Sequence, residues 1–206
     1  MGQELPKQFL SLNGKPVLAH TLEKFSQIAD EIILVLTPSH IGYWKEELAA
    51  MGHVTPHTII PGGATRSESV QNGLAALPDD GIVAVHDAVR PLVSPQLITL
   101  AYTEAAIHGS AVPVTEVRDS LREKVGDNTI PADRSRFLAV QTPQCFSLRL
   151  LKEAYKLSGG NSFTDDATVF GNAGNKVHTI PGEQGNIKIT YPEDLTFATA
   201  VTAGKM

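Results

Sequence analysis

Glu31-Ile32-Ile33-Leu34-Val35-Leu36 is an unbroken apolar, β-branched run closed by Thr37-Pro38. A run of this length and makeup reads as a buried strand. Three others resemble it: His57-Thr58-Ile59-Ile60, Gly81-Ile82-Val83-Ala84-Val85-His86 and Ser110-Ala111-Val112-Pro113-Val114. Continuous apolar runs, rather than alternation with polar residues, point to a parallel sheet covered on both faces.

Helical stretches fall between these strands. Residues 16–25 open with Pro16, which a first helical turn tolerates, and place Val17, Thr21, Leu22 and Phe25 on one side. Residues 44–51 and 66–77 follow, with Val70, Leu74 and Leu77 at helical spacing in the second. Ser94 is the expected N-cap of a helix over 96–108. Further along, helices are expected over 148–157 and 165–172, strands over 176–180 and 186–190, and a last helix from about Pro192. Alternating strands and helices imply an α/β fold with a doubly wound, mainly parallel sheet.

Residues 116–136 break the rhythm. They are charged and poor in large apolar side chains, and Gly126-Asp127-Asn128 is a turn signal. A surface loop and a two-stranded arm both satisfy this composition. The arm is the expectation; because an isolated hairpin is marginal alone, it is expected to pack on a second subunit.

Composition sets outer bounds. The chain has 206 residues, 42% of them hydrophobic, which suits one domain over 1–206 with the arm as an appendage. The net charge is −5, with no long basic run, which argues against a nucleic-acid binder. A small anionic substrate needs only a few converging cations and stays open. The single cysteine, Cys145, sits between Gln144 and Phe146 and reads as a packed residue in a reduced, cytoplasmic setting. No stretch has the length of a membrane span or the pattern of a signal peptide.

In such a sheet ligands bind at the carboxyl ends of the strands, so the residues just past each run are the informative ones. After Ile60 comes Pro61-Gly62-Gly63-Ala64-Thr65-Arg66. Its paired glycines let the backbone approach a ligand closely, or form an ordinary turn into a helix. After His86 comes Asp87-Ala88-Val89-Arg90-Pro91. Here Asp87 suits a hydroxyl or a metal ion, and Arg90 suits a phosphate or Asp87 itself. Thr164 has N-cap character ahead of Asp165 and Asp166. Lys188, between Ile187 and Ile189, needs a partner or a ligand if its strand is buried. Lys7, in Leu5-Pro6-Lys7-Gln8, reads alone as a solvated charge.

Taken in order, LPKQFL, GKPVLAHTLEKF, GGATRSESVQNGL, VAVHDAVRP, DR, QTPQ, FTDDA and NIKITYPEDL resemble the 2-C-methyl-D-erythritol 4-phosphate cytidylyltransferases over residues 1–198. VHDAVRP and NIKITYPEDL are the most specific. The resemblance implies a nucleotide-diphospho-sugar transferase-like sheet and a homodimer with swapped arms. It implies transfer of CMP from CTP to methylerythritol 4-phosphate with Mg²⁺ or another divalent cation, whose protein ligands it leaves unknown. It puts the transition-state lysine at Lys7, with Arg134 and Lys188 holding the attacking phosphate. Gly62, Gly63 and Ser69 fall at cytosine; Asp87 and Arg90 fall where ribose, phosphate and methylerythritol meet. Thr142 and Thr164 join Lys188 around the methylerythritol phosphate. Ser120 and Arg134 lie on the arm and are expected to serve the neighbouring subunit; Ser120 keeps the hydroxyl of a position where threonine is also expected.

Two expectations concern departures. Family members start with a strand and a glycine-rich, arginine-ended loop ahead of an internal methionine, the position Met1 takes here. A segment upstream of Met1 is therefore expected, and a chain starting at Met1 is expected to bind CTP weakly and to have low stability. The rival functions are a cytidylyltransferase for another polyol phosphate, such as ribitol 5-phosphate, and a non-catalytic nucleotide-binding module.

Overall fold

A computed structural model describes residues 5–52, 55–160 and 163–204. The expectations about Met1 and what precedes it lie outside these residues. A short 3₁₀ turn over Lys7–Phe9 leads into the ribbon β1 (Ser11–Leu12) and β2 (Lys15–Pro16), then α1 (Val17–Phe25). There follow β3 (Ile33–Leu36), α2 (Pro38–Met51), β4 (Thr58–Pro61), α3 (Arg66–Ala75), β5 (Ile82–Val85) and α4 (Pro95–His108). The chain continues through β6 (Ser110–Glu116), β7 (Leu121–Val125), β8 (Asn128–Ala132), β9 (Leu138–Val140) and β10 (Gln144–Ser147). It ends with α5 (Leu148–Leu157), α6 (Asp166–Asn172), β11 (Thr179–Pro181) and α7 (Pro192–Thr202).

The α/β fold and the hairpin are as expected, and the sheet itself is mixed. Strands run β11-β6-β10-β5, with β9 also on β6. β11 is parallel to β6, whereas β10 is antiparallel to both β5 and β6. The parallel pair β3–β4 forms a separate ladder among the described residues. β10 escaped the sequence reading because Gln144-Cys145-Phe146-Ser147 mixes polar and apolar residues.

Side-chain alternation on these strands explains the two-sided core. Ile82, Ala84, Ala111 and Cys145 face α4, where they meet Val93, Leu97, Ile98, Ala101 and Ala105. Val83, Val85, Val112 and Phe146 face the other way, onto Leu74 of α3, Leu148 and Leu151 of α5, and Val169 and Phe170 of α6. Neighbouring residues on one strand thus feed opposite layers, which is why the strands are apolar throughout. Cys145 is fully buried, and burial pushes its thiol well above the usual range.

Several boundaries are corrected. α2 begins at Pro38, ahead of the expected start at residue 44, because proline fits the first helical turn. Residues 186–190 form no strand; the segment is tied to the fold by Ile189 N–H donating to Val89 O at 2.9 Å. α6 is capped by Asp165, whose carboxylate accepts from Thr168 N–H, and not by Thr164. Ser94 caps α4 as expected, accepting from Leu97 N–H at 3.0 Å.

The arm is a hairpin in which β7 and β8 pair with each other over five residue pairs. Its turn uses Gly126 at φ 60°, a left-handed conformation that glycine adopts without strain. Val125, Ile130, Phe137, Leu138 and Val140 on and beside it are all exposed.

A polar clasp joins the helices of the second layer. Asp166, wholly buried, accepts from Arg66 of α3 and, at 2.6 Å, from Tyr155 Oη of α5. Burial lowers the proton affinity of Arg66, but Asp166 more than offsets this and raises it. Arg66→Ala leaves the carboxylate buried with one partner, so it is expected to cost roughly 3 kcal/mol. Urea unfolding with an unchanged slope and a lower midpoint is the expected reading.

Candidate active site

β5 leaves the sheet at Val85, and the next residues turn back sharply, with Arg90 N–H donating to Asp87 O at 3.1 Å. This turn sets the Asp87 carboxylate between two cations. Its Oδ2 accepts from Arg90 Nε at 3.1 Å and lies 3.2 Å from Lys188 Nζ. Burial pushes the Asp87 carboxyl up, but Lys188 and Arg90 more than offset this and hold it below the usual carboxylate range. The two cations differ in surroundings. The Arg90 side chain is 11% exposed and also donates from Nη1 to Asn186 O at 2.7 Å. The Lys188 side chain is 46% exposed. Ile189 beside it is buried with Val17 and Val89, which anchors the segment while the lysine reaches outward. The expected partner of Lys188 is therefore Asp87, and its ammonium is open to solvent rather than buried.

Thr142 supplies the next tie. Its Oγ1 accepts from Asp87 N–H at 3.1 Å and lies 3.1 Å from His86 Nδ1. His86 Nε2 lies 3.3 Å from Arg90 O, a pure acceptor. This network assigns the proton to Nε2, so Thr142 donates to Nδ1 of a neutral ring. The Thr142 hydroxyl is thus consumed within the site, and Thr142 is buried. Asn186 Nδ2 donates to Thr142 O at 2.9 Å, and Gln141 Nε2 donates to Glu183 O at 2.7 Å. His86, Gln141 and Asn186 lie within the motifs, but nothing in the sequence marks them as the residues that lock three strand ends together.

Gly62 and Gly63 stand after β4, at the opening of α3. A β-carbon on Gly62 would come 2.9 Å from Ser69 Oγ, and one on Gly63 would come 2.4 Å from Glu68 Cβ. Only glycine fits a loop folded this closely onto its helix. Ser69 Oγ accepts from Gly63 N–H at 3.1 Å and donates to Thr65 O at 2.9 Å. Ala64 N–H donates to Glu68 Oε2 at 2.7 Å. The serine therefore shapes the loop, and its hydroxyl is engaged on both sides.

The remaining expected residues are placed as follows. Lys7 is partly buried, and its ammonium has no hydrogen bond among the described residues. Leu5 and Phe9 flank it and pack in the cluster that holds Leu34, Leu36, Trp44 and Ala88, the neighbour of Asp87. Thr164 is exposed, just after Phe163, whose N–H donates to Ser67 Oγ on α3 at 3.1 Å. Ser120 and Arg134 are exposed on the arm. Arg134 donates to Arg118 O, bracing the arm's base, and no hydrogen bond or ion pair among the described residues joins either to Asp87.

An α/β fold that sets a carboxylate between two cations just past one strand, and a glycine turn just past another, has the makings of a nucleotidyltransferase that handles phosphates. Comparison with known proteins narrows the class. Residues 1–203 match the family described as IspD, 2-C-methyl-D-erythritol 4-phosphate cytidylyltransferase. A protein of that name from Porphyromonas gingivalis is 44% identical over 199 residues, covering 96% of this chain and 90% of the relative. One from Bacteroides fragilis is 42% identical over 203 residues, covering 98% and 93%. The crystal structure of the Thermus thermophilus 2-C-methyl-D-erythritol 4-phosphate cytidylyltransferase superposes with a TM-score of 0.81 at 35% identity, covering 96% of this chain and 94% of that one. This chain belongs to the IspD family, the CTP-dependent cytidylyltransferases of non-mevalonate isoprenoid synthesis.

The buried network makes stability depend on pH. Burial lowers His86 from 6.5 to about 4. Below 6.5 the unfolded chain takes up a proton that the folded chain refuses, so stability is lost as pH falls from 6.5 toward 4. The full effect is on the order of 3 kcal/mol. The thermal midpoint is expected to drop between pH 7 and pH 5, and to drop less in His86→Gln. Equal drops in both proteins would show that His86 is not the group responsible.

Proposed function

We propose that this chain transfers CMP from CTP to 2-C-methyl-D-erythritol 4-phosphate at the cluster built on Asp87. The observation that carries this reading is the carboxylate held between buried Arg90 and solvent-facing Lys188 at a strand end. A phosphate oxygen of the acceptor attacks the α-phosphorus of CTP in line, the bond to the β-phosphate bridging oxygen breaks, and pyrophosphate leaves. Two anions have to meet, so catalysis is positioning and charge neutralisation.

Lys7 stabilises the charge that builds on the α-phosphate. Lys188 has ammonium donors beyond the one aimed at Asp87 and receives the acceptor phosphate from the solvent side. Arg90 is a positioning residue: its guanidinium is committed to Asp87 and Asn186 O, and it fixes the carboxylate that in turn orients Lys188. Gly62 and Gly63 bring backbone close to the cytosine, with Ser69 holding their loop. Thr164 presents a hydroxyl at the acceptor phosphate, while Thr142 acts from beneath through Asp87 and His86.

Asp87 also fits a divalent cation such as Mg²⁺. Its Oδ2 takes both cations, and its Oδ1 has no hydrogen bond among the described residues. Mg²⁺ is commonly held by one or two carboxylates together with substrate phosphates. When bound, it supplies charge neutralisation on the triphosphate.

The arm is proposed to swap across a homodimer. Its apolar residues Val125, Ile130, Phe137, Leu138 and Val140 are exposed in the single chain, and a partner subunit would cover them. Arg134 then grips the acceptor phosphate of the neighbouring subunit, with bidentate geometry available to its guanidinium. Both substrates are dissolved phosphates, and the lone free thiol is buried, which suits the cytoplasm.

Lys7→Ala is expected to lower kcat roughly 10²–10³-fold with the fold intact, the scale of losing one transition-state donor. Pyrophosphate release measured with methylerythritol 4-phosphate and with ribitol 5-phosphate identifies the acceptor; faster turnover of the second would replace this reading with the rival one. Arg134→Ala is expected to give inactive homodimers that regain activity when mixed with Lys7→Ala subunits. Subunit exchange without rescue would exclude an intersubunit site.

A further inference from the structure

We propose that Glu104, His108 and His178 form a site for a divalent transition-metal ion of the Zn²⁺ type, at the end of the sheet opposite the Asp87 cluster. Glu104 and His108 stand four residues apart on α4 and so share a face. His178 comes from the segment leading into β11, and its backbone is fixed. Its N–H donates to Ser110 Oγ at 3.0 Å, and its carbonyl accepts from Val112 N–H at 2.9 Å. The site thus joins the C-terminal end of α4 to the starting ends of β6 and β11. The N-terminal end of α4, at Ser94, bonds Glu183 beside the Asp87 network, and the length of the helix separates the two by about 20 Å.

The geometry is that of a partly assembled coordination shell. Glu104 Oε2 lies 3.3 Å from Nε2 of His108 and 3.3 Å from Nε2 of His178. The three donor atoms all lie within 4.8 Å of one another. A tetrahedral ion with bonds of about 2.0–2.2 Å spaces its donors roughly 3.3–3.6 Å apart, and both carboxylate–imidazole distances lie at the short end of this range. The two rings stack with centroids 3.9 Å apart and planes 23° from parallel, and each keeps its Nε2 3.3 Å from the same carboxylate oxygen. Binding an ion unstacks the rings: each swings about χ2, a broad torsion in histidine, until both lone pairs meet at one point.

Donor chemistry sets the class of ion. Two imidazoles and a carboxylate form a His₂Glu set, suited to Zn²⁺, Ni²⁺ or Cu²⁺; Mg²⁺ and Ca²⁺ prefer oxygen donors. Three protein ligands leave a position for water. The side chains are 28%, 44% and 30% exposed for Glu104, His108 and His178, so an ion reaches them from solvent without a channel. Nothing here touches the groups assigned to CMP transfer, so the ion is a brace between α4 and the β6–β11 edge.

The test uses the full chain after chelator treatment, without nucleotide, because triphosphates bind metals themselves. Calorimetric titration with Zn²⁺ is expected to show one equivalent bound and a raised thermal midpoint. Co²⁺ is expected to give the visible absorption of a four- or five-coordinate ion. Glu104→Ala and His178→Ala are each expected to weaken binding roughly tenfold or more, while His20→Gln leaves it unchanged. His108→Gln serves if His178→Ala does not fold. Failure of Zn²⁺ to bind, or binding that survives both Glu104→Ala and His178→Ala, would overturn the assignment and leave a carboxylate hydrogen-bonded to two histidines.

Discussion

The Asp87 carboxylate, held ionised between Arg90 and Lys188, is the interaction on which the site depends. A partly buried charge must be matched, and each match here recruits a different part of the chain. Arg90 belongs to the same turn, Lys188 comes from nearly a hundred residues later, and Thr142 reaches the Asp87 amide from the strand-end loop before β10. Arg90 also takes the Asn186 carbonyl, and Asn186 takes that of Thr142. The network closes on itself, so removing one member exposes the needs of the others.

The two-sided core makes that closure possible. β5, β6 and β10 send alternate residues into the α4 layer and into the layer of α3, α5 and α6. With both faces packed, the strand ends are fixed relative to one another, and the polar ties above them can be short. The Arg66–Asp166–Tyr155 clasp does similar work within the second layer, where helix packing alone does not orient α6 and its capping residue Asp165. The Ser94–Glu183 bond connects α4 to the loop that carries Asn186. If an ion occupies Glu104, His108 and His178, the far end of the same helix is braced as well.

Much of the fold was legible because apolar runs and cap residues are local signals. The core strands β3, β5 and β6 announce themselves by continuous apolarity, Ser94 by its hydroxyl ahead of a helix, and the arm by its charge and its turn. The failures have equally physical causes. Residues 186–190 alternate like a strand, yet they are held by one backbone bond to Val89, by the side-chain ties of Asn186 and Lys188, and by the burial of Ile189. β10 is polar enough to look like a loop, because Gln144 spends its amide on Asp165 and on the backbone of Asp166 and Ala167. Thr164 and Asp165 are both acceptable caps by composition, and only the path of the chain selects the second.

The sequence by itself determined the class of fold, the residues that could handle phosphate and the likeness to one family of cytidylyltransferases. Those follow from residue type and spacing, which a chain carries unfolded. Tertiary structure alone decided which candidates meet and in what state. It paired Lys188 with Asp87, committed Arg90 to holding rather than reaching, and used up the hydroxyls of Thr142 and Ser69 inside the protein. It also set His178 against Glu104 and His108, seventy residues away in sequence. Ion pairs and hydrogen bonds act over a few ångströms, and only packing brings distant residues that close.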